Sequence, residues 1–402
     1  MHAFFLAVRA LRFAWQRNLL LLLALSFALA LPLATRATVK AATHELDSRA
    51  QSTPLLLGAA QSDFDLVFAA LWFSPMPHPT TTGSMRDLAL VETDDLATAI
   101  PLVLGSTART SPVVGTTLDY LAFRNLRFAQ GRPFALVGQC VLGSQAAIAL
   151  NLHVGEKVFT DPGALTDLAG VFPIELEITG ILATTGTADD AAIFVDTSTA
   201  WTIRGVGHFH APPTVADQAT GRVIGQKPDG SLIAGEALPI ESAPTTASAQ
   251  DFHFHGDLSD APLSAAIVIP KSAKAQAILL GRFDEARSSD LSGARPRLLR
   301  PIEVSDRVSQ RIFTVERLLD AVAVAALIGT LAVVLLSFAL GIKLRAEELR
   351  VMHRMGASRA RIALFLSTEA LCILVLASAI ALALARFASQ GAGALVAWIV
   401  QG

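Results

Sequence analysis

Four of the nine histidines form two His-x-His pairs, His208 with His210 and His253 with His255. On a strand, residues two apart share a face. Each pair therefore offers two imidazole nitrogens to one ion, and the two pairs together can complete a four-nitrogen site for zinc, copper or nickel. Asp251 and Asp257 stand nearby as oxygen donors or as hydrogen-bond partners of the ligands. Phe209, Phe252 and Phe254 alternate with the histidines. That is also the pattern of a half-buried strand with ordinary surface histidines, and both readings stay open. A carboxylate of another kind, Glu369, interrupts an otherwise uncharged apolar run. Such a group inside a membrane is a functional candidate, but it follows Arg361 by only about two helical turns, where an interfacial ion pair also accounts for it. Asp94 with Asp95 and Asp189 with Asp190 are adjacent, so on a strand they would face opposite ways; they read as turn or cap residues. Ser106 and Ser144 have no evident histidine and acid partners. No Gly-x-x-x-x-Gly-Lys-Ser/Thr loop occurs, so the chain brings no nucleotide chemistry of its own.

The elements that must position these residues begin with three apolar segments. Of the 402 residues 52% are hydrophobic and only 16% charged, against about a quarter charged in an ordinary soluble domain. A net charge of −2 excludes a polybasic nucleic-acid binder, and two cysteines exclude a disulfide scaffold or a Cys-rich zinc module. Asn18 to Ala34 reads NLLLLLALSFALALPLA; Ala321 to Ile342 and Ile362 to Ala385 are longer, and only Glu369 is charged among the three. A bilayer core of roughly 30 Å needs about 20 helical residues. The second and third runs meet that alone, and the first does so with the flank Leu11 to Asn18. Arg9, Arg12 and Arg17 before the first run also fit a signal peptide, but the long amphipathic stretch they lie in favours a retained anchor. These arginines, and Lys343, Arg345, Arg350, Arg354, Arg359 and Arg361 against Glu347 and Glu348 in the later loop, place both regions on the cytoplasmic side. The segment between the first two runs then lies outside.

That segment has ordinary mixed composition and ample length for a core. Strand-like stretches are expected at Phe64 to Phe68, Phe134 to Val137, Glu175 to Ile181, Ala192 to Val195 and Ala265 to Ile269. Helices are expected at Ala37 to Ala50, Ser144 to Leu150 and Lys271 to Asp284. Residues 211–262, rich in Ala, Pro, Thr, Ser, Asp and Gly, read as an insertion. The fold class expected is a membrane protein with an α-helical transmembrane part of three helices and a large mixed α/β extracytoplasmic domain. Its divisions are an arm and first helix over 1–36, an outer domain over 37–317, and a membrane region over 318–402 with a cytoplasmic loop at 343–361.

In that loop Lys343 to Arg354 is a strong helix former. Leu344, Leu349, Met352 and Met355 can share one face at helical spacing, Gly356 can end the helix and Ser358 can cap the next. An apolar ridge with a charged rim suits docking into a partner's groove; a basic helix lying on anionic lipid is the alternative.

Three stretches together resemble the FtsX-like, MacB-type permease family of ABC transporters. They are Val351 to Glu369 (VMHRMGASRARIALFLSTE), Leu142 to Glu156 (LGSQAAIALNLHVGE) and Ile178 to Val195 (ITGILATTGTADDAAIFV). The resemblance implies a non-catalytic permease subunit of the bacterial inner membrane, working as a homodimer or heterodimer with a separate ATPase that binds the ATP. It places ATPase docking at Arg345, Glu348, Leu349, Met352, Met355, Gly356, Ala357, Ser358 and Arg359. It implies that the outer domain moves when the ATPases close, with the continuous helix through Arg307 to Leu344 as the coupling element. The family has four membrane helices and a basic tail; here the chain after Ala385 offers only GAGALVAWIVQG, about half a bilayer of apolar helix. Two rivals are a metal-handling or metal-sensing membrane protein using the histidine pairs, and a non-transporting mechanotransmitter that activates an envelope enzyme.

Overall fold

A computed structural model describes residues 9, 12–13, 15–59, 62–75, 83–162, 173–208, 223–226, 232–234, 253–254, 257–288, 296–355 and 357–390. Most of the 211–262 insertion, His210, His255, Gly356 and the apolar segment from 391 onward lie outside these residues. The chain divides into two compact units. One comprises the described residues up to Asp47 and from Asp306 on; the other is Ser48–Ser305. The sequence places these divisions near 36 and 317. The difference arises because each long helix continues past its membrane span before the packing changes.

The helical unit is built from α1 (Trp15–Gln51) up to Asp47, α8 (Pro301–Leu344) from Asp306 on, the short α9 (Ala346–Arg354) and α10 (Arg359–Gln390). Three of these, α1, α8 and α10, are long and apolar enough to cross a membrane. Pro32 sits inside α1 without ending it. Leu25 of α1 packs with Ile373 and Ala377 of α10, and Phe338 of α8 joins them. On α1, Arg36 holds Asp320 of α8 through a bidentate ion pair with a shortest bond of 2.7 Å. From Arg17 to Arg36 is roughly 28 Å of helix, close to the hydrocarbon thickness. The charges of α1 therefore bracket the apolar run rather than interrupt it.

The second unit carries β1 (Leu55–Gly58), β2 (Ala97–Ala108), β3 (Ser111–Thr116), β4 (Phe128–Gly131), β5 (Gln139–Leu142), β6 (Lys157–Phe159), β7 (Glu175–Leu182), β8 (Ile193–Asp196), β9 (Gly207–His208), β10 (His253–Phe254), β11 (Ala265–Pro270) and β12 (Arg297–Leu299). Its ten-stranded sheet runs in the order β12-β1-β11-β2-β3-β8-β5-β7-β4, with β6 paired to β7. Only β3–β8 and β5–β7 are parallel within it. Its helices are α2 (Asp63–Trp72), α3 (Arg86–Glu92), α4 (Leu118–Phe123), α5 (Ser144–Leu150), α6 (Thr197–Ile203) and α7 (Ala273–Ser288). One core gathers Leu142, Leu176, Ile178, Ile193 and Trp201; the other gathers Leu55, Leu57, Leu88, Val268 and Leu279.

Two expected strands are not strands. Phe64 to Phe68 lies inside α2: Ser62 caps the helix by accepting from the Asp65 N–H, and Asp63 and Asp65 occupy the favourable first turn. Burial of Leu66, Val67, Ala70 and Leu71 then follows a helical face. Phe134 to Val137 is a loop, and the strand begins at Gln139. There the Gln139 carboxamide oxygen accepts from the N–H groups of Ala135 and Leu136 and closes a turn. Lys343 to Arg354 is likewise not one helix. It breaks at Arg345, whose backbone lies at φ −98°, ψ 15°, in the bridge region between helix and strand.

Two of the sequence motifs fold onto each other. The Gly143 N–H donates to Ala192 O at 2.8 Å, and Gly155 N–H donates to Ile178 O at 2.8 Å. A Cβ on Gly143 would fall 2.3 Å from the carbonyl oxygen of Asp189, so glycine is what lets α5 start against the 188–191 turn.

Candidate functional site

The last turn of α1 carries Arg49, only 6% exposed. Its guanidinium takes Asp189 in a fork, Nη1 to Oδ2 at 2.7 Å and Nη2 to Oδ1 at 2.9 Å. Nη2 also donates to the Tyr120 hydroxyl at 3.1 Å, and that hydroxyl donates to Asp189 Oδ1 at 2.7 Å. Nε donates to the Leu71 carbonyl. Thr187 Oγ1 adds a bond to Asp189 Oδ2 at 2.9 Å. The guanidinium lies 5.6 Å from the Phe73 ring centre, and Tyr120 packs on Phe194 of β8 at 5.5 Å. One buried knot thus joins α1, α2, α4 and the turn before β8.

The helix end itself is closed by side chains. Ser52 and Thr53 hydroxyls donate to the Arg49 carbonyl at 2.9 and 3.1 Å, and Arg124 donates to both hydroxyls. These bonds satisfy a carbonyl that a helix terminus leaves without an internal partner. Burial alone would push the Asp189 carboxyl up, but the Arg49 charge and the hydrogen bonds outweigh it and hold it at about 2. Burial beside that carboxylate pushes the Tyr120 phenol up. Asp189 stays ionised and Tyr120 neutral across physiological pH, and the cluster is suited to holding a geometry rather than moving a proton. Asp190 does turn duty, accepting from the Thr185 and Gly186 N–H groups. Sequence reading missed Arg49 and Tyr120, the only tyrosine of the chain, and took Asp189 for a turn residue.

In the helical unit Glu369, 1% exposed, accepts from Arg17 Nη2 at 3.0 Å, and Arg345 Nη1 stands 3.7 Å from its other oxygen. α1, α10 and the α8–α9 junction meet at this carboxylate. The Arg17 guanidinium lies 5.9 Å from the Phe338 ring centre. A Cβ on Gly341 would sit 2.4 Å from Arg17 Nη1, so α8 has no side chain where the arginine passes.

The loop residues divide. Leu349 and Met352 are half-buried and line a cavity beside Arg17 and Glu369. Leu344, Val351 and Met355 are exposed, at 79%, 51% and 76%. The expected single face of Leu344, Leu349, Met352 and Met355 is therefore corrected: the break at Arg345 takes Leu344 out of the helical register of α9, and the outward apolar residues are Leu344, Val351 and Met355. Ser358 precedes α10, with the Arg361 N–H donating to its carbonyl at 3.0 Å, and Arg359 is exposed. Ala357 is tied back by its N–H to Met352 O at 3.1 Å. Glu348 lies on α9, its side chain outside the described set.

Of the four paired histidines, His208 and His253 are described as backbone. β9 and β10 form an antiparallel ladder that sets His208 opposite His253. Among the described residues no group of three or more metal-ligating side chains assembles.

Long apolar helices joined to a mixed α/β domain with two interlocked motifs define a membrane protein with an extracytoplasmic domain. A family model described as the MacB-like periplasmic core domain matches residues 19–234, more than half of the chain. The chain belongs to the MacB-like periplasmic core domain family, within the FtsX-like, MacB-type permeases of ABC transporters. Among solved structures, the periplasmic region of MacB from Actinobacillus actinomycetemcomitans is similar at 13% identity over 65% of this chain and 94% of that one, with a TM-score of 0.34. The extracellular domain of the noncanonic ABC-type transporter YknZ from Gram-positive bacteria is similar at 12% identity over 61% and 98%, with a TM-score of 0.31. No curated protein matches the chain.

The buried knot predicts a pH signature. The folded Asp189 carboxyl titrates near 2 and an unfolded aspartate near 3.9, so the ionised group favours the fold fully above about pH 4. That contribution, roughly 2.5 kcal/mol, fades as the pH falls from about 4 to about 2. Asp189→Asn should lack this step and should cost about 3–5 kcal/mol at neutral pH by leaving Arg49 buried without its counter-charge. Unfolding of the full-length protein in detergent, followed across pH, checks both.

Proposed function

We propose that this chain is the permease subunit of an ABC transporter of the FtsX/MacB type, a multi-pass protein of the bacterial inner membrane. It couples ATP hydrolysis by a separate ATPase to movement of its extracytoplasmic domain, for export or extraction of an envelope substrate. Two copies, or a copy and a paralogue, would seat two ATPases. The observation that carries this reading is the pair of unbroken helices α1 and α8. They span roughly 55 and 66 Å, well beyond the roughly 30 Å of a bilayer core, and the last turn of α1 is locked by Arg49. A helix with a fixed end transmits tilt without absorbing it. The α9 loop supplies the other requirement, exposed apolar groups rimmed by arginine, a surface suited to a partner's groove.

Met355 is the clean probe, because it is exposed whereas Met352 supports the cavity wall. Met355→Asp should reduce co-purification of the ATPase from native membranes at least tenfold while leaving the melting temperature unchanged. Undiminished co-purification would remove the docking assignment.

The His208–His253 register favours a second reading, in which the ladder at the base of the insertion binds a transition metal. Zinc, copper and nickel take imidazole donors, and His208 and His253 would supply two of the three or four protein ligands such a site needs. Zinc measured by mass spectrometry on the purified full-length protein should approach one ion per chain and fall away in His208→Ala/His253→Ala. Equal zinc in both proteins would dismiss it.

A further inference from the structure

The cavity beside Glu369 has a volume of about 350 Å³. Arg9, Arg17 and Arg345 line it, and among the described residues Glu369 is its one carboxylate. Arg17 and Arg345 both spend charge on that one group, while Arg9 is exposed and pairs with no carboxylate among the described residues. Among the described residues, three guanidiniums against a single acid leave an excess of positive charge in a site whose remaining walls, Phe13 and Phe365 among them, are largely apolar. An uncompensated cation beside apolar walls draws an anion more strongly than it would in water.

Depth identifies the kind of anion. Arg17 ends the uncharged run that starts at Asn18, and Arg345 follows the run that ends at Ile342. The cavity therefore opens where the hydrocarbon gives way to headgroups. Basic pockets between membrane helices at this level take phospholipid headgroups, and guanidinium matches a phosphate through paired N–H donors. The apolar walls would receive the glycerol backbone and the first methylenes of the chains. A soluble acidic peptide would meet the charge but gain nothing from walls at this depth.

We propose that the Arg9–Arg17–Arg345 cavity binds the phosphate headgroup of one anionic phospholipid from the leaflet at the arginine-rich end of the helices. The bound lipid balances the excess charge and props the wall formed by Leu349 and Met352 of α9. The site stands whether or not an ATPase docks on the outer face of that helix.

The test uses full-length protein in neutral detergent, titrated with dioleoylphosphatidylglycerol and followed by native mass spectrometry. One phosphatidylglycerol should saturate each chain, and dioleoylphosphatidylcholine should not displace it. Arg9→Gln, an exposed position that leaves the Glu369 pairs intact, should weaken binding about fivefold, the worth of one basic residue at a membrane surface. Arg350→Gln, exposed on α9 and outside the cavity, should leave binding unchanged. Equal affinity in the two variants would reduce the effect to general attraction by a basic surface and overturn the proposal. Displacement by millimolar inorganic phosphate would assign the cavity to free phosphate and overturn it as a lipid site, and stoichiometric displacement by an acidic peptide would do the same in favour of a protein partner.

Discussion

A guanidinium taken out of water must find its charge and its hydrogen bonds inside the protein, or the fold does not hold. Arg49 meets that condition through Asp189, Tyr120 and the Leu71 carbonyl, and the solution fixes much else. It requires the 188–191 turn to approach α1. It requires Gly143 where that turn presses on α5. It requires a tyrosine at the one place where a hydroxyl can donate to the carboxylate and accept from the arginine. Attraction between two buried ions only roughly offsets their desolvation, so the knot is better understood as a device for setting one geometry than as a reservoir of stability.

The helical unit has a device of the same kind. Glu369 gathers Arg17 and Arg345, and α1 thereby carries a buried or half-buried arginine lock near each of its termini. Between them the helix is apolar and holds its neighbours through small and aliphatic side chains such as Leu25 and Ala377. In a lipid environment such packing has no hydrophobic driving force of its own, so polar nodes at the ends carry a larger share of the specificity. A lever needs fixed points more than it needs a tight shaft, and α1 is built in that way.

What could be read from the sequence follows the range of the forces involved. Apolar length and arginine placement announced the three long helices, because the bilayer acts on each segment separately. Short-range patterns gave β7, β8, β11 and α5 close to their observed bounds. The failures are local competitions: Ser62 with Asp63 and Asp65 makes a helix start that outweighs the strand-like run of Phe64 to Phe68, and the Gln139 side chain turns the chain just where Phe134 to Val137 looked extended. The break at Arg345 escaped notice because nothing in its neighbourhood names Glu369, the carboxylate it faces across the helices. Arg49 and Asp189 are 140 residues apart, and nothing in the neighbourhood of either names the other. The motifs around Gly143 and Asp189 were legible as a family resemblance before their physical reason, the contact between them, was visible.

The central claim is that the last turn of α1, itself part of the Ser48–Ser305 unit, is held by Asp189 and Tyr120 and does not fray as an ordinary helix terminus would. Hydrogen–deuterium exchange on the full-length protein in lipid nanodiscs addresses it directly. Amides of residues 48–53 should show protection comparable to those of β8 and should be released together with them. Exchange of 48–53 at the rate of a free helix end, while β8 stays protected, would contradict the account.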